Sequence, residues 1–261
     1  MPSRLTAVHL HRFLSSGRNR PAIFGCIDAL GKPAGDYVVK LSGAMDTGVR
    51  AAASELIASL LAEHFGLLRP EPAIVRLDPD LIKWLAVKKP DIADLLRRST
   101  GPNFATELVT GAAEWPPGRS LPDAMAASAS CIFAFDALIS NDDRRYNNPN
   151  VLVRGDDIFV IDHEAAFSFL YLVSTARQSW AVRDRRSLTD HVFYLELRKR
   201  PIDLGQFTAR LAELASTKLE AMINLLPEEW RHHRLGLMSS HLQSVREHAF
   251  EFERQLRERL A

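Results

Sequence analysis

The first third of the chain alternates short apolar segments with polar breaks. Apolar segments run from Ala7 to Leu14, from Ala22 to Leu30 and from Asp36 to Leu41, and the breaks between them contain Gly and Pro. Short apolar runs bounded by such residues are typical of β-strands. Strands joined by short turns pair antiparallel, so we expect a small antiparallel sheet, to which Ala73 to Leu77 adds a fourth strand.

A helical period follows the third strand and dominates the second half of the chain. Apolar residues at spacings of three and four predict a helix from Val49 to His64, where Gly66 supplies a stop. The same spacing recurs in three later segments: Pro122 to Ser140, Phe207 to Leu225 and about Met238 to Leu260.

A Pro/Gly break separates the strand-rich part from the helical part. The tract Trp115-Pro116-Pro117-Gly118 interrupts any regular element, and we place a hinge between Phe104 and Gly118. The pattern predicts an α+β fold of two lobes, an N-lobe with a small antiparallel sheet over residues 1–110 and a mainly helical C-lobe over residues 111–261.

Composition and charge narrow the classes of partner. The chain has 261 residues, 46% of them hydrophobic, and a formal net charge of +1. This charge gives no electrostatic reason to expect direct nucleic-acid binding. The two cysteines have neither metal-binding nor redox spacing. The most apolar window, Ile158 to Val173, contains Asp162, His163 and Glu164, which would be costly in a bilayer. We therefore expect a cytoplasmic protein with no membrane span.

The residues that carry chemistry follow the predicted helix that ends at Ser140. Asp143 is followed five residues later by Asn148, and a short apolar strand beyond them ends at Asp162. Phosphoryl transfer needs a carboxylate that accepts the proton of the attacking hydroxyl, and oxygen ligands for magnesium. Asp143 fits the first role, while Asn148 and Asp162 fit the second. The spacing Asp-x-x-x-x-Asn is that of the protein-kinase catalytic loop. Because Asp and Asn are common in turns, the order of all these features is more specific than the spacing alone.

Residues of the first half fit the nucleotide side of such a site. Lys40 closes the third strand and Glu55 lies early in the following helix, which is the order of the phosphate-binding lysine and its glutamate partner in kinases. Glu63, on the same helix, is a rival partner. Ser16, in the polar loop between the first two strands, and Glu107, in the hinge region, are further predicted nucleotide contacts. The Ser16 loop has a single glycine, and an ordinary surface hairpin explains it equally well.

The chain resembles the HipA-like kinases, and more distantly the phosphoinositide kinases, over roughly Ala22 to Phe169. The segments that carry the resemblance are Phe135 to Arg144, Asn148 to Asn150, Val160 to His163, Ala53 to Glu55 and Leu61 to Ala73. It implies a protein-kinase-like fold and ATP-dependent phosphorylation, with serine or threonine as the expected acceptor. It also implies that Asp143 is catalytic, that Asn148 and Asp162 bind magnesium and that Lys40 binds phosphate.

Two departures from the family pattern leave the acceptor open. Arg145 stands where HipA-type loops generally have histidine, and His163 replaces the phenylalanine of the usual kinase triad. The predicted cofactors are ATP and Mg²⁺, and the acceptor is an unidentified hydroxyl compound, a protein in the favoured interpretation. The alternatives are a nucleotide-binding pseudokinase, a small-molecule or lipid kinase, and a metal-dependent hydrolase built on Asp142, Asp143, Asp162, His163 and Glu164.

Overall fold

A computed structural model describes residues 1–14, 20–171, 178–182, 186–198 and 200–261. The predicted nucleotide contact Ser16 lies outside these residues. The chain divides into two compact units. Unit 1 comprises Met1–Leu56, Pro70–Thr110 and Leu225–His232, and unit 2 comprises Ile57–Arg69, Gly111–Asn224 and His233–Ala261. The described residues include no helix that is both long and apolar enough to cross a membrane.

Unit 1 is built on a closed five-stranded barrel. Its strands are β1 (Ser3–Phe13), β2 (Ala22–Ile27), β3 (Pro33–Lys40), β4 (Pro72–Leu77) and β5 (Asn103–Glu107). They follow one another in the order β1-β2-β3-β5-β4, and β4 returns to pair with β1. All pairs are antiparallel except β1 with β4.

The predicted small antiparallel sheet is a closed barrel in the structure, and one of its strand pairs, β1 with β4, is parallel. β1 starts earlier than predicted, and its first part pairs in parallel with Ala73–Leu77 of β4 while its later part pairs with β2. Two register shifts interrupt the β1–β2 pairing, and such irregularities increase the twist of a strand. The interior of a barrel narrows as the strand number falls, and in this one four alanines, Ala7, Ala22, Ala73 and Ala105, pack beside larger residues such as Phe24.

Three helices accompany the barrel strands along the chain. The first, α1 (Val49–His64), has the predicted bounds, and its residues up to Leu56 belong to unit 1. The others, α2 (Pro79–Lys88) and α3 (Ala93–Arg98), pack Leu85, Leu95 and other apolar residues onto the barrel core. No helix is predicted from the sequence at either place. Asp78 followed by Pro79 is the signal that marks α2, because the Asp78 carboxylate accepts hydrogen bonds from two backbone N–H groups of the first turn.

Unit 2 combines a small sheet with helices. The sheet consists of β6 (Ala113–Glu114), β7 (Val151–Arg154) and β8 (Asp157–Val160), all antiparallel. Its helices beyond α1 are α4 (Ala126–Ile139), α5 (Tyr194–Leu197), α6 (Gly205–Ala212), α7 (Ser216–Asn224), α8 (Leu235–Glu247) and α9 (Ala249–Leu260). Short 3-10 helices occur in both units: Ser42–Ala44, Pro90–Ile92, Asp123–Met125, Ser168–Tyr171, Arg186–Thr189 and Glu228–Trp230.

The three long helices predicted for the second half are each shorter or divided. The segment Pro122 to Ser140 begins with a 3-10 turn, Phe207 to Leu225 contains α6 and α7, and Met238 to Leu260 contains α8 and α9. At the last break His248 leaves the helical conformation, with φ −112° and ψ 30°. The apolar period continues across these breaks because residues on both sides are buried, and periodicity alone therefore does not show them.

Candidate active site

Lys40 and Glu55 form a buried ion pair in unit 1. Tyr37 and Val39 face the barrel core, so Lys40, the last residue of β3, lies on the outer face with Val38. The Lys40 Nζ donates to the Glu55 Oε1 from α1. The Lys40 side chain is 14% exposed and that of Glu55 is 1% exposed.

The rival partner Glu63 has another role. Its carboxylate accepts a hydrogen bond of 2.8 Å from the Arg69 guanidinium, within unit 2. The structure therefore brings Lys40 together with Glu55, as the order of the two residues along the chain predicts.

Glu107 lies at the exposed end of β5, opposite Tyr37 in the register of β3 and β5. Because Lys40 is opposite Phe104, three positions away, Glu107 shares the face of Tyr37 and not the face of Lys40. Burial raises the pKa of Tyr37, and the nearby Glu107 carboxylate raises it further. Glu107 stays a predicted nucleotide contact, and the register directs its carboxylate away from the face of Lys40.

The loop that contains Asp143 begins where α4 ends. Ser140 ends the helix in the left-handed conformation, with φ 52°. The Asn148 Nδ2 donates to the Asp143 Oδ2 at 2.8 Å, and the Asn150 Nδ2 donates to the same oxygen at 3.4 Å. The Asp143 N–H donates to the Asn141 Oδ1 at 3.3 Å. These amides hold the Asp143 carboxylate and backbone in one orientation.

The β7–β8 hairpin brings Asp162 to the same end of the sheet as this loop. Val151 pairs with Val160, and beyond them the Ile161 N–H donates to the Asn150 carbonyl at 3.1 Å. The hairpin thus places the residues that precede β7 beside those that follow β8. Asn148 and Asp162 lie two residues and one residue from this last hydrogen bond.

Left-handed backbone conformations concentrate around these residues. Among the described non-glycine residues, φ is positive at Arg20, Ser140, Asn150, Asp162 and Phe167. Such conformations cost free energy and cluster at functional sites in proteins, and four of the five lie within or beside the loop and the segment after β8.

The atoms offered here suit a hard divalent cation. Because the Asn148 amide nitrogen is used toward Asp143, its carbonyl oxygen is the atom left to bind a ligand. The Asp162 carboxylate offers a second oxygen donor. Amide and carboxylate oxygens are the ligands that Mg²⁺ takes in phosphoryl-transfer sites, so the donor set fits this ion.

A buried polar cluster lies beneath the loop. Asp136 of α4 accepts hydrogen bonds from the Asn141 Nδ2 at 2.8 Å, from the Arg144 Nε at 2.6 Å and from the His191 Nε2 at 3.0 Å. Burial by itself raises the pKa of Asp136, but Arg144 and His191 outweigh it and lower the pKa to about 2. Asp136 is therefore an ionised carboxylate that all three donors surround.

Arg144 extends this cluster to both ends of the hairpin. Its guanidinium donates to the carbonyl oxygens of Asn150 and Ile161, and it donates to the His163 Nε2 at 3.2 Å. An arginine only donates, so the His163 Nε2 bears no proton and its Nδ1 is the protonated nitrogen. With one nitrogen facing a guanidinium and the other protonated, His163 does not fit the role of a metal ligand.

The tautomer of His191 is also fixed by its neighbours. Its Nδ1 accepts the Phe193 N–H at 3.2 Å, so Nε2 carries the proton that is donated to Asp136. Burial lowers the pKa of His191, against the opposing effect of Asp136, and the Arg144 charge lowers it further. His191 is therefore neutral at physiological pH.

Asp142, next to Asp143, has a different environment. The Ser168 hydroxyl donates to the Asp142 Oδ2 at 2.9 Å. The backbone N–H of Phe167 donates to the Ile139 carbonyl at 2.6 Å, at the end of α4. Asp142 thus joins the loop to the segment after Asp162.

Sequence reasoning identifies the loop residues but misses most of the cluster beneath them. Asp136 is the single charged residue of α4, and a buried carboxylate needs donors, which is a signal that partners exist. Nothing in the sequence marks His191 as one of them, since it lies 55 residues further along the chain.

Comparisons with known proteins support a kinase fold. A family model described as HipA-like kinase matches residues 10–255. A crystal structure of the proinflammatory kinase CtkA from Helicobacter pylori is similar to the chain with a TM-score of 0.51 and 11% sequence identity, over 93% of each chain. At this identity the likeness concerns the fold alone. No curated protein matches the chain.

Proposed function

Since the chain belongs to the family of HipA-like kinases, we propose that it transfers the γ-phosphoryl group of ATP, with Mg²⁺, to a hydroxyl acceptor. We take serine or threonine of a protein as the acceptor. The observation that carries the proposal is the buried ion pair of Lys40 and Glu55. A buried ion pair is weak as a source of stability compared with apolar residues of similar volume, so a functional role explains it better. A lysine held by a glutamate is the phosphate contact of kinases.

In the proposed reaction the acceptor oxygen attacks the γ-phosphorus. A new P–O bond forms as the bond from the γ-phosphorus to the bridging oxygen of ADP breaks, and the acceptor proton passes to Asp143. We assign this proton to Oδ1, because the Asn148 and Asn150 amides both donate to Oδ2. Bound Mg²⁺ would neutralise charge on the phosphates, and Asn148 and Asp162 would hold it.

We assign the nucleotide contacts to residues 1–110 and the catalytic loop and metal ligands to residues 111–261. Val38 and its register partners Ile23 and Thr106 share the face of β3 that carries Lys40. A largely apolar face beside a phosphate-binding lysine suits the base of a nucleotide.

The alternatives differ in how well they explain these contacts. A metal-dependent hydrolase leaves Lys40 and Glu55 without a role, and it needs His163 as a ligand, which the hydrogen bond from Arg144 disfavours. A pseudokinase would bind ATP without turnover. A small-molecule or lipid kinase would share the same chemistry with another acceptor.

The test is a thermal-shift titration with ATP, with and without Mg²⁺, combined with measurement of ADP release. ATP at about 100 times its dissociation constant stabilises the folded state by about 2.7 kcal/mol. We expect a shift that requires Mg²⁺ in the wild type and that weakens in Asp162→Asn. Asparagine tolerates the left-handed backbone of Asp162, so this variant removes charge without adding strain.

The control for this titration is Asp157→Asn, an exposed position in β8, which should respond as the wild type does. Asp143→Asn should bind ATP and release no ADP. If wild-type protein shows no shift with ATP under any condition, the nucleotide proposal is wrong. If it binds ATP but neither hydrolyses it nor transfers phosphate, the chain is a pseudokinase.

A further inference from the structure

Residues 190–192, here called the clamp, pair with the candidate catalytic loop as a short strand would. Arg145 of the loop and His191 form an antiparallel β-bridge. The bridge consists of two backbone hydrogen bonds, of 3.1 and 3.2 Å: Tyr146 N–H to the Asp190 carbonyl, and Val192 N–H to the Arg144 carbonyl. The clamp therefore fixes the backbone immediately after Asp143.

From the clamp the side chain of His191 reaches into the interior. Its Nε2–H donates to the Asp136 Oδ2 at 3.0 Å, and its Nδ1 accepts the Phe193 N–H at 3.2 Å. The imidazole ring also packs against the Phe133 ring in a T-shaped arrangement, with 5.1 Å between centroids. Because both ring nitrogens are hydrogen-bonded and the ring packs against Phe133, the imidazole has one orientation and one tautomer.

We infer that His191 is a positioning residue for phosphoryl transfer, an inference that rests on the proposed function. The same Asp136 oxygen that accepts the His191 proton also accepts the Arg144 Nε–H, at 2.6 Å. Removing the His191 donor changes the charge density and the position of the oxygen that holds Arg144. All three side chains are buried, so water does not readily replace the lost donor.

Arg144 connects this change to the reacting groups. It donates to the carbonyls of Asn150 and Ile161. The first of these carbonyls follows Asn148 by two residues, and the second directly precedes Asp162. One guanidinium thus sets the spacing of the two segments that carry the proposed metal ligands, and His191 sets the guanidinium through Asp136.

A purely structural His191 predicts a different outcome from a positioning one. If the hydrogen bond to Asp136 only stabilised the fold, its loss would lower Tm and leave kcat of the folded protein unchanged. Positioning predicts a lower kcat in the folded protein and a higher KM for Mg-ATP, because Arg144 holds the segments that carry the proposed metal ligands Asn148 and Asp162.

The experiment compares donors of different geometry at position 191. Glutamine brings an amide N–H close to the place of the imidazole Nε2, asparagine brings one close to Nδ1, and phenylalanine has the shape without a donor. We expect His191→Gln to keep most of the wild-type kcat for ADP release from Mg-ATP. We expect His191→Asn and His191→Phe to lose about 100-fold, the effect of a misplacement of about 1 Å. His233→Asn, at an exposed position, is the control and should match the wild type.

Tm and hydrogen exchange of residues 141–150 are measured on the same proteins. The inference is overturned if His191→Asn turns over as fast as the wild type, or if a stably folded His191→Gln loses as much kcat as His191→Asn. The glutamine–asparagine comparison decides the matter even if His191→Phe does not fold. If the wild type releases no ADP, the proposed function fails separately. Faster exchange of the loop in His191→Asn than in His191→Gln then still shows that the His191 donor orders the loop, and equal exchange refutes that role.

Discussion

Glu55 is almost fully buried, and its carboxylate accepts the hydrogen bond of Lys40. Lys40→Met removes the ammonium and leaves a buried charge behind, which costs about 3–5 kcal/mol of unfolding free energy. The double variant Lys40→Met/Glu55→Leu removes both charges, so we expect it to regain most of that loss in urea denaturation. Both variants should lack ADP release.

The comparison of these two variants separates the stability of the pair from its function. If the double variant is as unstable as Lys40→Met, the buried charge is not the cause of the loss. If the double variant releases ADP at the wild-type rate, Lys40 is not the phosphate contact.

His191 and Asp136 also make stability depend on pH. The pKa of His191 is lower in the folded chain than its ordinary value, so below about pH 6.5 the unfolded chain binds more protons than the folded one. This contribution to stability is complete above that pH and is lost as pH falls. The Asp136 pKa of about 2 adds a second loss, which begins only near its ordinary value of 3.8.

Unfolding free energy measured in urea should therefore rise between pH 5 and pH 7 in the wild type. The slope should be smaller in His191→Gln, which does not titrate there, and unchanged in His233→Gln at an exposed position. Burial also lowers the pKa of His64, and this group accounts for the pH dependence of stability that remains in His191→Gln. An equal slope in wild type and His191→Gln would contradict the low pKa of His191.

Among single residues, the sequence predicts the contacts between residues that are close along the chain or in a known order. Asp143 and Asn148 are five residues apart, and the hydrogen bond between them follows from that spacing. The contact of Lys40 with Glu55 agrees with their order along the strand and helix, which is that of kinases. The contact of His191 with Asp136 depends on the fold that joins distant segments, and no local pattern records it.

Among the secondary-structure elements, β1 contributes a small, fully buried residue to the barrel core. Ala7 is fully buried in the barrel, where β1 pairs with both β2 and β4. Ala7→Leu inserts volume that the narrow interior cannot accept, so we expect a loss of about 1–3 kcal/mol. Val8→Leu, next to it on the exposed side, should change the unfolding free energy by less than about 0.5 kcal/mol.

Urea denaturation of both variants checks this prediction. A tolerated Ala7→Leu would mean that the barrel can expand, for example by opening the parallel β1–β4 pairing. The slope of unfolding free energy against urea concentration would then be smaller as well, because less surface would be exposed on unfolding.

Elements that depend on local signals were the predictable ones. The observed bounds of α1 agree with the prediction from the helical spacing of apolar residues between Leu56 and Phe65 and from Gly66 after them. The parallel pairing of β1 with β4 joins segments about seventy positions apart, from Ser3 with Ala73 to Ala7 with Leu77, and a strand pattern does not specify its partner. The breaks at His248 and between α6 and α7 interrupt the helical conformation, but the apolar period continues across them.

In the whole molecule, each compact unit combines segments that are far apart along the chain. One junction of the units falls between Thr110 and Gly111, inside the predicted hinge region, but unit 1 also includes Leu225–His232. Within it Trp230 is 1% exposed, and its indole N–H donates to the Pro102 carbonyl at 3.3 Å. Side-chain contacts more than one hundred residues apart cannot be deduced from periodicity.

Trp230 therefore completes unit 1 from a distant part of the chain. Trp230→Ala in the full chain should cost about 3–5 kcal/mol of unfolding free energy, because a large buried ring is lost and the cavity is only partly refilled. Trp84→Ala is the matched control, since Trp84 of α2 is 56% exposed and should cost much less. Hydrogen exchange should rise in β5, beside Pro102, in the Trp230 variant alone. The prediction is wrong if the two substitutions lower the unfolding free energy equally, or if β5 keeps its protection from exchange in Trp230→Ala. In either case residues 225–232 pack on unit 1 without stabilising it.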